Sequence, residues 1–286
     1  MIVPLLGSAL AGAALGVAEA VAVVRTDRVL PVPGLDARLA GLRIAHLSDF
    51  HLGAPGPNAT ATRRAVRIAM AAEPDLIAIT GDQLSHPRGT DDLLEVLADL
   101  DAPLGVWAIL GNHDLGYSRD PLSRAGEVPD YASAGVRLLR DETVVVERGG
   151  VRIAISGIEP RRQERPTFTT PLGAPLLAPW PAADAALHLV LSHYPDLFDE
   201  VPEGARDIVL AGHLHGGQIC VPWPSGRLRL SQLGQRYADG VFGRGGSTLH
   251  VTRGVGTTFV PFRILARPEV PILELAVEAP AAAGPS

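Results

Sequence analysis

The chain has one cysteine, Cys220, in 286 residues, and no lysine. A lone thiol excludes an intrachain disulfide and every zinc module built from several cysteines. Any metal here has to be held by His, Asp, Glu or Asn. All 25 basic residues are arginines; 31 acids outnumber them, the net charge is −6, and no basic block is present. Non-specific nucleic-acid binding needs a basic face, so no nucleic-acid partner is expected. Aromatic residues are scarce at 5%, yet apolar residues make up 47%. The 31 glycines and 25 prolines stay below the share that marks a low-complexity chain. What is left is a folded globular protein with room for one large or two small domains. Its 9 histidines carry most of the remaining information.

One long uncharged run stands at the start. Residues 2–18 carry no charge, and the apolar stretch resumes after Glu19 as far as Val24, about the 20 residues that cross a bilayer. Residues 1–24 are therefore expected to be a membrane anchor or a signal segment. No basic residue precedes the run, which argues against a signal; Ala18-Glu19-Ala20 fits a cleavage site, which argues for one. A Gly/Ala-rich helix packed on the domain itself is the less favoured reading. Residues 25–42, with Pro31, Pro33, Gly34 and Gly41, read as a connector, residues 43–279 as the folded domain and residues 280–286 as a disordered tail.

From Leu42 short apolar runs alternate with helical stretches: LRIAHLS, a helix around Thr62 to Ala72, LIAIT, a helix around Asp91 to Leu100, then VWAIL. Runs apolar at nearly every position suit strands covered on both faces. The second half is strand-rich: TVVVE and VRIAIS around Arg148-Gly149-Gly150 read as a hairpin, followed by HLVLSH, IVLAGH, STLHVT and PILELAVE. In the last run Leu273, Leu275 and Val277 alternate with Glu274, Ala276 and Glu278, a half-exposed strand.

Five of these strands end in residues able to bind a metal, where open α/β sheets place their sites. Asp49 and His51 follow the first, Gly81-Asp82 the second and Gly111-Asn112-His113-Asp114 the third; His193 and then Gly212-His213-Leu214-His215 follow two strands of the second half. In an extended chain residues i and i+2 point the same way, so Asp49/His51 and His213/His215 can each aim two donors at one point. Taken singly, an Asp after a strand is usually a turn or cap residue and a His in an apolar run a core residue.

As a set the blocks D-x-H, G-D, G-N-H-D, H and G-H-x-H, in this order, resemble the calcineurin-like metallophosphoesterase superfamily over roughly residues 43–278. The flanking SDFHLG, TGDQ, AGHLHGGQI, TRGVGTTFVPFR and PEVPILEL look like its bacterial branch of membrane-associated or exported phosphodiesterases, similar to enzymes acting on nucleotide-linked lipids such as UDP-2,3-diacylglucosamine. The resemblance implies an α/β fold, a four-layer αββα sandwich of two mixed sheets flanked by helices, here behind an N-terminal apolar helix. It implies two divalent ions, one held by Asp49, His51, Asp82 and His215, the other by Asp82, Asn112, His193 and His213, with Asp82 bridging. Hard carboxylates with imidazoles suit Mn, Fe or Zn. Two divalent ions, two carboxylates and a bridging hydroxide leave a charge of about +1, which draws a phosphoester to an acidic protein. The implied reaction is hydrolysis of a phosphodiester or pyrophosphate by that hydroxide. The implied general acid is His113, with Asp114 expected to orient its ring or to cap the following turn. The substrate is expected to be a small-molecule or lipid-linked phosphoester. Phosphomonoester hydrolysis, or a membrane-tethered metal-binding scaffold without catalysis, is the alternative.

Departures matter too. Protein phosphatases of the superfamily read G-D-x-V-D-R-G, whereas Gly81-Asp82 is followed by Gln83, Leu84, Ser85 and His86, so the phosphate-gripping arginine is missing. His86 reads as a solvated loop residue, His46, His188 and His250 as structural, and Gly216-Gly217 as a turn. Residues 160–181 form a long proline-rich loop with Arg161, Arg162 and Arg165 at its start and Phe168, Leu172, Leu176, Leu177 and Trp180 beyond. It is read either as a covering of the domain's own core or as a lid for a lipid-bearing substrate. Arg25, Arg28 and Arg38 favour a cytoplasmic domain, and the resemblance favours export, so the side of the membrane stays open.

Overall fold

The structure is a computed structural model and describes residues 12–161, 184–224, 226–230 and 234–278. The β-rich runs become strands β1 (Val24–Val32), β2 (Arg43–Leu47), β3 (Leu76–Thr80), β4 (Val106–Ile109) and β5 (Arg137–Leu138), which share one sheet with the last strand, β14 (Glu269–Val277). The order is β1-β14-β2-β3-β4-β5, parallel except between β14 and β2. A second six-stranded sheet holds β6 (Glu142–Arg148), β7 (Val151–Ile158), β8 (Leu187–Ser192), β9 (Asp207–Ala211), β12 (Gly240–Arg244) and β13 (Ser247–Val251), ordered β12-β13-β9-β8-β7-β6. Its two outer pairings are antiparallel and the rest parallel, so both sheets are mixed. The β6–β7 hairpin turns at Gly149 and Gly150, both at positive φ. A separate ribbon is formed by β10 (Cys220–Trp223) and β11 (Gly226–Arg229).

The sheets face each other over one apolar layer in which Ile44, Leu76 and Ile109 of the first meet Ile155, Leu189 and Leu210 of the second. The other face of the first sheet is covered by α2 (Asn58–Met70) and α3 (Thr90–Ala98). Helix α2 buries Ala61, Ala65 and Ala69, a stripe at i, i+4 and i+8, and turns Arg64 and Arg67 to solvent. The expected fourth layer of helix is replaced, among the described residues, by the 3₁₀ turn Pro195–Glu200 with Tyr237 and Phe242 packed on β8, β9 and β13. Phe198 and Tyr237 supply the apolar cover there with little regular backbone.

The N-terminal expectations need correction. Residues 25–42 are no simple connector: β1 runs through Val32, paired residue for residue with β14. Pro31 is tolerated within it because β1 is an edge strand, and Pro33 lies just past its end. Residues 12–20 (α1) are helical and end on the domain: Glu19 Oε1 accepts from Ala266 N at 2.7 Å, and Gly16 O accepts from Arg263 N at 3.1 Å. Residues 1–11 lie outside the described residues, and among those described no helix is long and apolar enough to cross a membrane. The 160–181 loop and the 280–286 tail also fall almost entirely outside them. Arg161, at the loop's start, pairs with Asp141 at 2.7 Å.

Candidate metal centre

Strands β2, β3 and β4 are parallel neighbours in one sheet, β8 and β9 in the other, and the β3–β4 part of the first sheet packs on the β8–β9 part of the second. Their carboxyl ends therefore open at one edge of the sandwich, and all the expected site residues meet there. Asp49, His51, Asp82, Asn112, His113, His193 and His215 are buried, and His213 is partly exposed.

The route to that convergence differs from the extended geometry read from i, i+2 spacing. Strand β2 stops at Leu47 and β9 at Ala211, and the pairs lie beyond them. Asp49, His51, Asp82, His213 and His215 all have φ between 48° and 74°, the left-handed region that non-glycine residues avoid. Such residues each cost on the order of 1–3 kcal/mol and persist where surrounding contacts impose them. Here backbone bonds continue past the strand ends, with Asp49 N donating to Gly81 O at 3.0 Å and His51 N to Asp82 O at 2.9 Å.

Donor atoms gather in overlapping groups, each atom within 4.8 Å of the others in its group: Asp49, His51 and His215; His51, Asp82 and His113; Asp82, His193 and His213. Asp82 Oδ2 lies 3.7 Å from His51 Nε2 and 3.2 Å from His193 Nε2. His51 Nε2 lies 3.0 Å from His215 Nε2, and His193 Nε2 lies 3.0 Å from Asn112 Oδ1 and 3.1 Å from His213 Nδ1. His193 Nδ1 sits 2.8 Å from the Thr80 carbonyl, which can only accept, so Nδ1 carries a hydrogen. In the neutral ring Nε2 is then bare, and it faces a carboxylate oxygen and an amide oxygen with no hydrogen between them. A buried set of this kind needs a cation, so the donor chemistry fits a divalent ion.

The proton affinities agree. Burial disfavours a charged His193, but the Asp82 carboxylate outweighs it and pushes the ring up to about 9. Burial works against ionised Asp82 as well, yet His193 and His113 hold it well below the usual carboxylate range. A proton on His193 thus serves as counter-charge to Asp82. His51 and His215 are held well below the ordinary histidine range, and His213 is pushed down to about 3, each chiefly by burial. They remain neutral. Burial raises Asp49 to about 6.

His113 stands beside this cluster, its Nε2 3.9 Å from Asp82 Oδ2 and its ring edge-on to His51. Asp114 does not orient it. The Asp114 carboxylate accepts from Gly111 N at 2.7 Å, Leu84 N at 2.8 Å and Gln83 N at 3.3 Å, tying the loop after β4 to the loop after β3. It therefore caps no following turn either. Burial pushes it up to about 7. Hydroxyls surround His113 instead: Ser85 Oγ at 3.1 Å and Ser123 Oγ at 3.0 Å from Nδ1, and Ser118 Oγ at 2.9 Å from Nε2.

Of the remaining histidines, His86 Nδ1 accepts from Arg88 N at 3.2 Å and caps a 3₁₀ turn. His46 and His250 face each other through Nδ1 at 2.9 Å, and His188 bonds to Ser156 and Asp207. Gly216 and Gly217 make a tight turn at positive φ.

Sequence reasoning missed Arg263. Its guanidinium is fully buried and donates to the carbonyls of Gly256, Ala266, Arg253 and His215. It pins the 253–256 loop and the second G-H-x-H histidine into one unit, while burial pushes its pKa down to about 10. The only signal for it was its place in TRGVGTTFVPFR.

Residues 42–217 match the calcineurin-like phosphoesterase family. The chain is 30% identical over 252 residues to the uncharacterized metallophosphoesterase YkoQ of Bacillus subtilis (strain 168), covering 86% of this chain and 88% of that protein. It is 31% identical over 242 residues to the phosphodiesterase YaeI of Escherichia coli (strain K12), covering 82% and 83%. It is 27% identical over 299 residues to the UDP-2,3-diacylglucosamine pyrophosphatase LpxG of Chlamydia muridarum (strain MoPn / Nigg), covering 86% and 87%. With its clustered His and Asp donors at the strand ends, the chain belongs to the calcineurin-like phosphoesterase family and is a metal-dependent phosphoric ester hydrolase.

Proposed function

We propose that the protein hydrolyses a phosphodiester or pyrophosphate at a pair of divalent ions, one held by Asp49, His51, Asp82 and His215 and the other by Asp82, Asn112, His193 and His213. The observation that carries this is the position of Asp82 Oδ2, within 3.7 Å of a donor nitrogen from each set. When bound, such ions supply Lewis acidity toward a phosphoryl oxygen and make water a usable nucleophile at neutral pH. The chain supplies the rest. His113, beside the ligands, gives a proton from Nε2 to the departing oxygen; that nitrogen now bonds to Ser118 Oγ at 2.9 Å. The test is hydrolysis of bis-p-nitrophenyl phosphate against p-nitrophenyl phosphate, with and without added Mn²⁺. Metal-dependent turnover of the diester above the monoester is expected. Monoester preference would make it a phosphomonoesterase, and no turnover of either would make it a scaffold.

The substrate is proposed to be lipid-linked, on the pattern of the pyrophosphatase relatives. The supporting observation is a pair of exposed apolar residues tied to Asp120, two residues along from Ser118, whose hydroxyl touches His113. Asp120 Oδ2 accepts from Phe259 N and Asp120 Oδ1 from Leu122 N, so one carboxylate holds the backbone of two residues that are 55% and 48% exposed. Phe259→Ser with Leu122→Ser is expected to slow cleavage of a lipid-linked pyrophosphate in micelles while sparing a small diester; equal slowing of both contradicts the lipid reading.

A further inference from the structure

Tyr194 directly follows His193 and stands at the open side of the site. Its ring is edge-on to His213, with centroids 4.7 Å apart and planes at 80°, and lies 5.4 Å from the His193 ring. Of the proposed ligands only His213 is partly exposed, so the cluster meets solvent beside this ring. The backbone is held on both sides: Ser192 Oγ donates to Tyr194 O at 2.9 Å, and Pro195 opens the 3₁₀ turn Pro195–Glu200. The phenol hydroxyl, in contrast, has no hydrogen-bond partner among the described residues. Among those residues the one fully buried side-chain nitrogen or oxygen without a partner belongs to Arg148, so the Tyr194 hydroxyl reaches solvent. Asp82 is near enough for its charge to act on that hydroxyl. A phenol keeps its hydrogen at neutral pH, and what stands beside the cluster is therefore an O–H donor with nothing to donate to.

The site lacks other donors of this kind. The phosphate-gripping arginine of the related protein phosphatases is absent after Gly81-Asp82, and His86, at its position, accepts from Arg88 N and caps a turn. Arg263 is the one arginine bonded to a proposed ligand among the described residues. It is fully buried, and its guanidinium is taken up by backbone carbonyls and His215 Nδ1. Charge that gathers on a phosphoryl oxygen is best stabilised by donors already in place, and the packed Tyr194 ring holds its hydroxyl before a substrate arrives. A neutral donor also suits the single charge of a diester better than the nearly double charge of a monoester.

We infer that Tyr194 is a catalytic residue whose hydroxyl donates a hydrogen bond to a non-bridging oxygen of the phosphoryl group, a neutral donor where the protein phosphatases use arginine. This rests on the metal-site reading above. The role differs from that of His113, since no proton is transferred and the leaving group is not touched.

The experiment is Tyr194→Phe, which keeps the ring and removes only the hydroxyl. Metal content by elemental analysis and the urea midpoint are expected to match the unmodified protein. With Mn²⁺ bound, kcat for bis-p-nitrophenyl phosphate and for an alkyl diester should fall by the same factor, about tenfold, while KM changes less than about twofold, because the bond strengthens as charge develops on the phosphoryl oxygen. Vanadate, which adopts the five-coordinate shape of the transition state, should bind about tenfold more weakly by calorimetry. Tyr117→Phe, which removes the neighbouring phenol, should leave all four readings unchanged. Tyr194→Leu provides the same comparison if Tyr194→Phe misfolds. Unchanged kcat and vanadate affinity in loaded Tyr194→Phe overturn the inference. So does a loss confined to the alkyl diester, which makes the phenol a donor to the leaving group, or a loss of metal or stability, which makes it a structural support. Absence of metal-dependent turnover in the unmodified protein overturns the metal-site reading as well.

Discussion

Gly111 lies so close to the Asp82 carboxylate that a β-carbon at position 111 would overlap Asp82 Oδ1. The same carboxylate oxygen accepts from His113 N at 2.8 Å, so the glycine of the G-N-H-D block is the space into which Asp82 fits. Gly111→Ala should therefore displace Asp82 with the fold retained at a cost of about 1–3 kcal/mol. Metal content and diester turnover should both fall, turnover at least about tenfold by the steep dependence of catalysis on placement. Elemental analysis beside circular dichroism checks this; full metal content and rate in a folded variant would contradict it.

His113→Ala should leave metal content intact, since the other donors remain, and reduce turnover of an alkyl diester by roughly a hundredfold, the usual worth of a general acid. A p-nitrophenyl ester should be hydrolysed nearly as fast as before. Equal losses on both substrates would place His113 among the ligands.

Metal-free stability should depend on pH through His193. Its folded pKa, about 9, lies above the ordinary value of 6.5, so the ring binds its proton more tightly in the fold. The stabilisation is fully present below pH 6.5 and is lost as pH rises through 9. A divalent ion replaces that proton, so stabilisation by metal should grow over the same window. Urea unfolding of stripped and zinc-loaded protein at both ends of the window measures this. A metal-free midpoint that rises from pH 6.5 to 9 would contradict it.

Arg263→Met should destabilise the protein by about 3–5 kcal/mol, because four buried carbonyls lose their donor. The loss should be visible as a lowered urea midpoint in the metal-free protein as well as in the loaded one. A change below about 1 kcal/mol would mean that water replaces the guanidinium.

Much of this was legible in the chain. The apolar runs at β2, β3, β4, β7, β8, β9 and β13 were readable because strands buried on both faces leave an uninterrupted signal. Strand β1 was not, since an edge strand with one proline inside it and another just past its end looks like a linker until its partner β14, more than 200 residues away, is in place. The metal-site residues were readable as ordered blocks, but the backbone bringing them together was not: left-handed φ at Asp49 and His215 reflects tertiary contacts and leaves no mark in residue type. The role of Asp114 was misassigned for a related reason. Adjacency in sequence suggested a bond to His113, whereas the carboxylate turns to backbone donors of the neighbouring loop, and the serines that hold His113 come from positions 85, 118 and 123.

The account stands most directly on Asp82 as the carboxylate common to both sets of donors. After reconstitution with Mn²⁺ and removal of excess ion, elemental analysis of the unmodified protein should give about two metal equivalents per chain, as a two-ion site requires. Asp82→Ala should lose both, since two cations without a shared carboxylate repel each other, while His51→Ala should lose less. Two equivalents retained in folded Asp82→Ala would contradict the shared-carboxylate centre and the hydrolytic mechanism built on it.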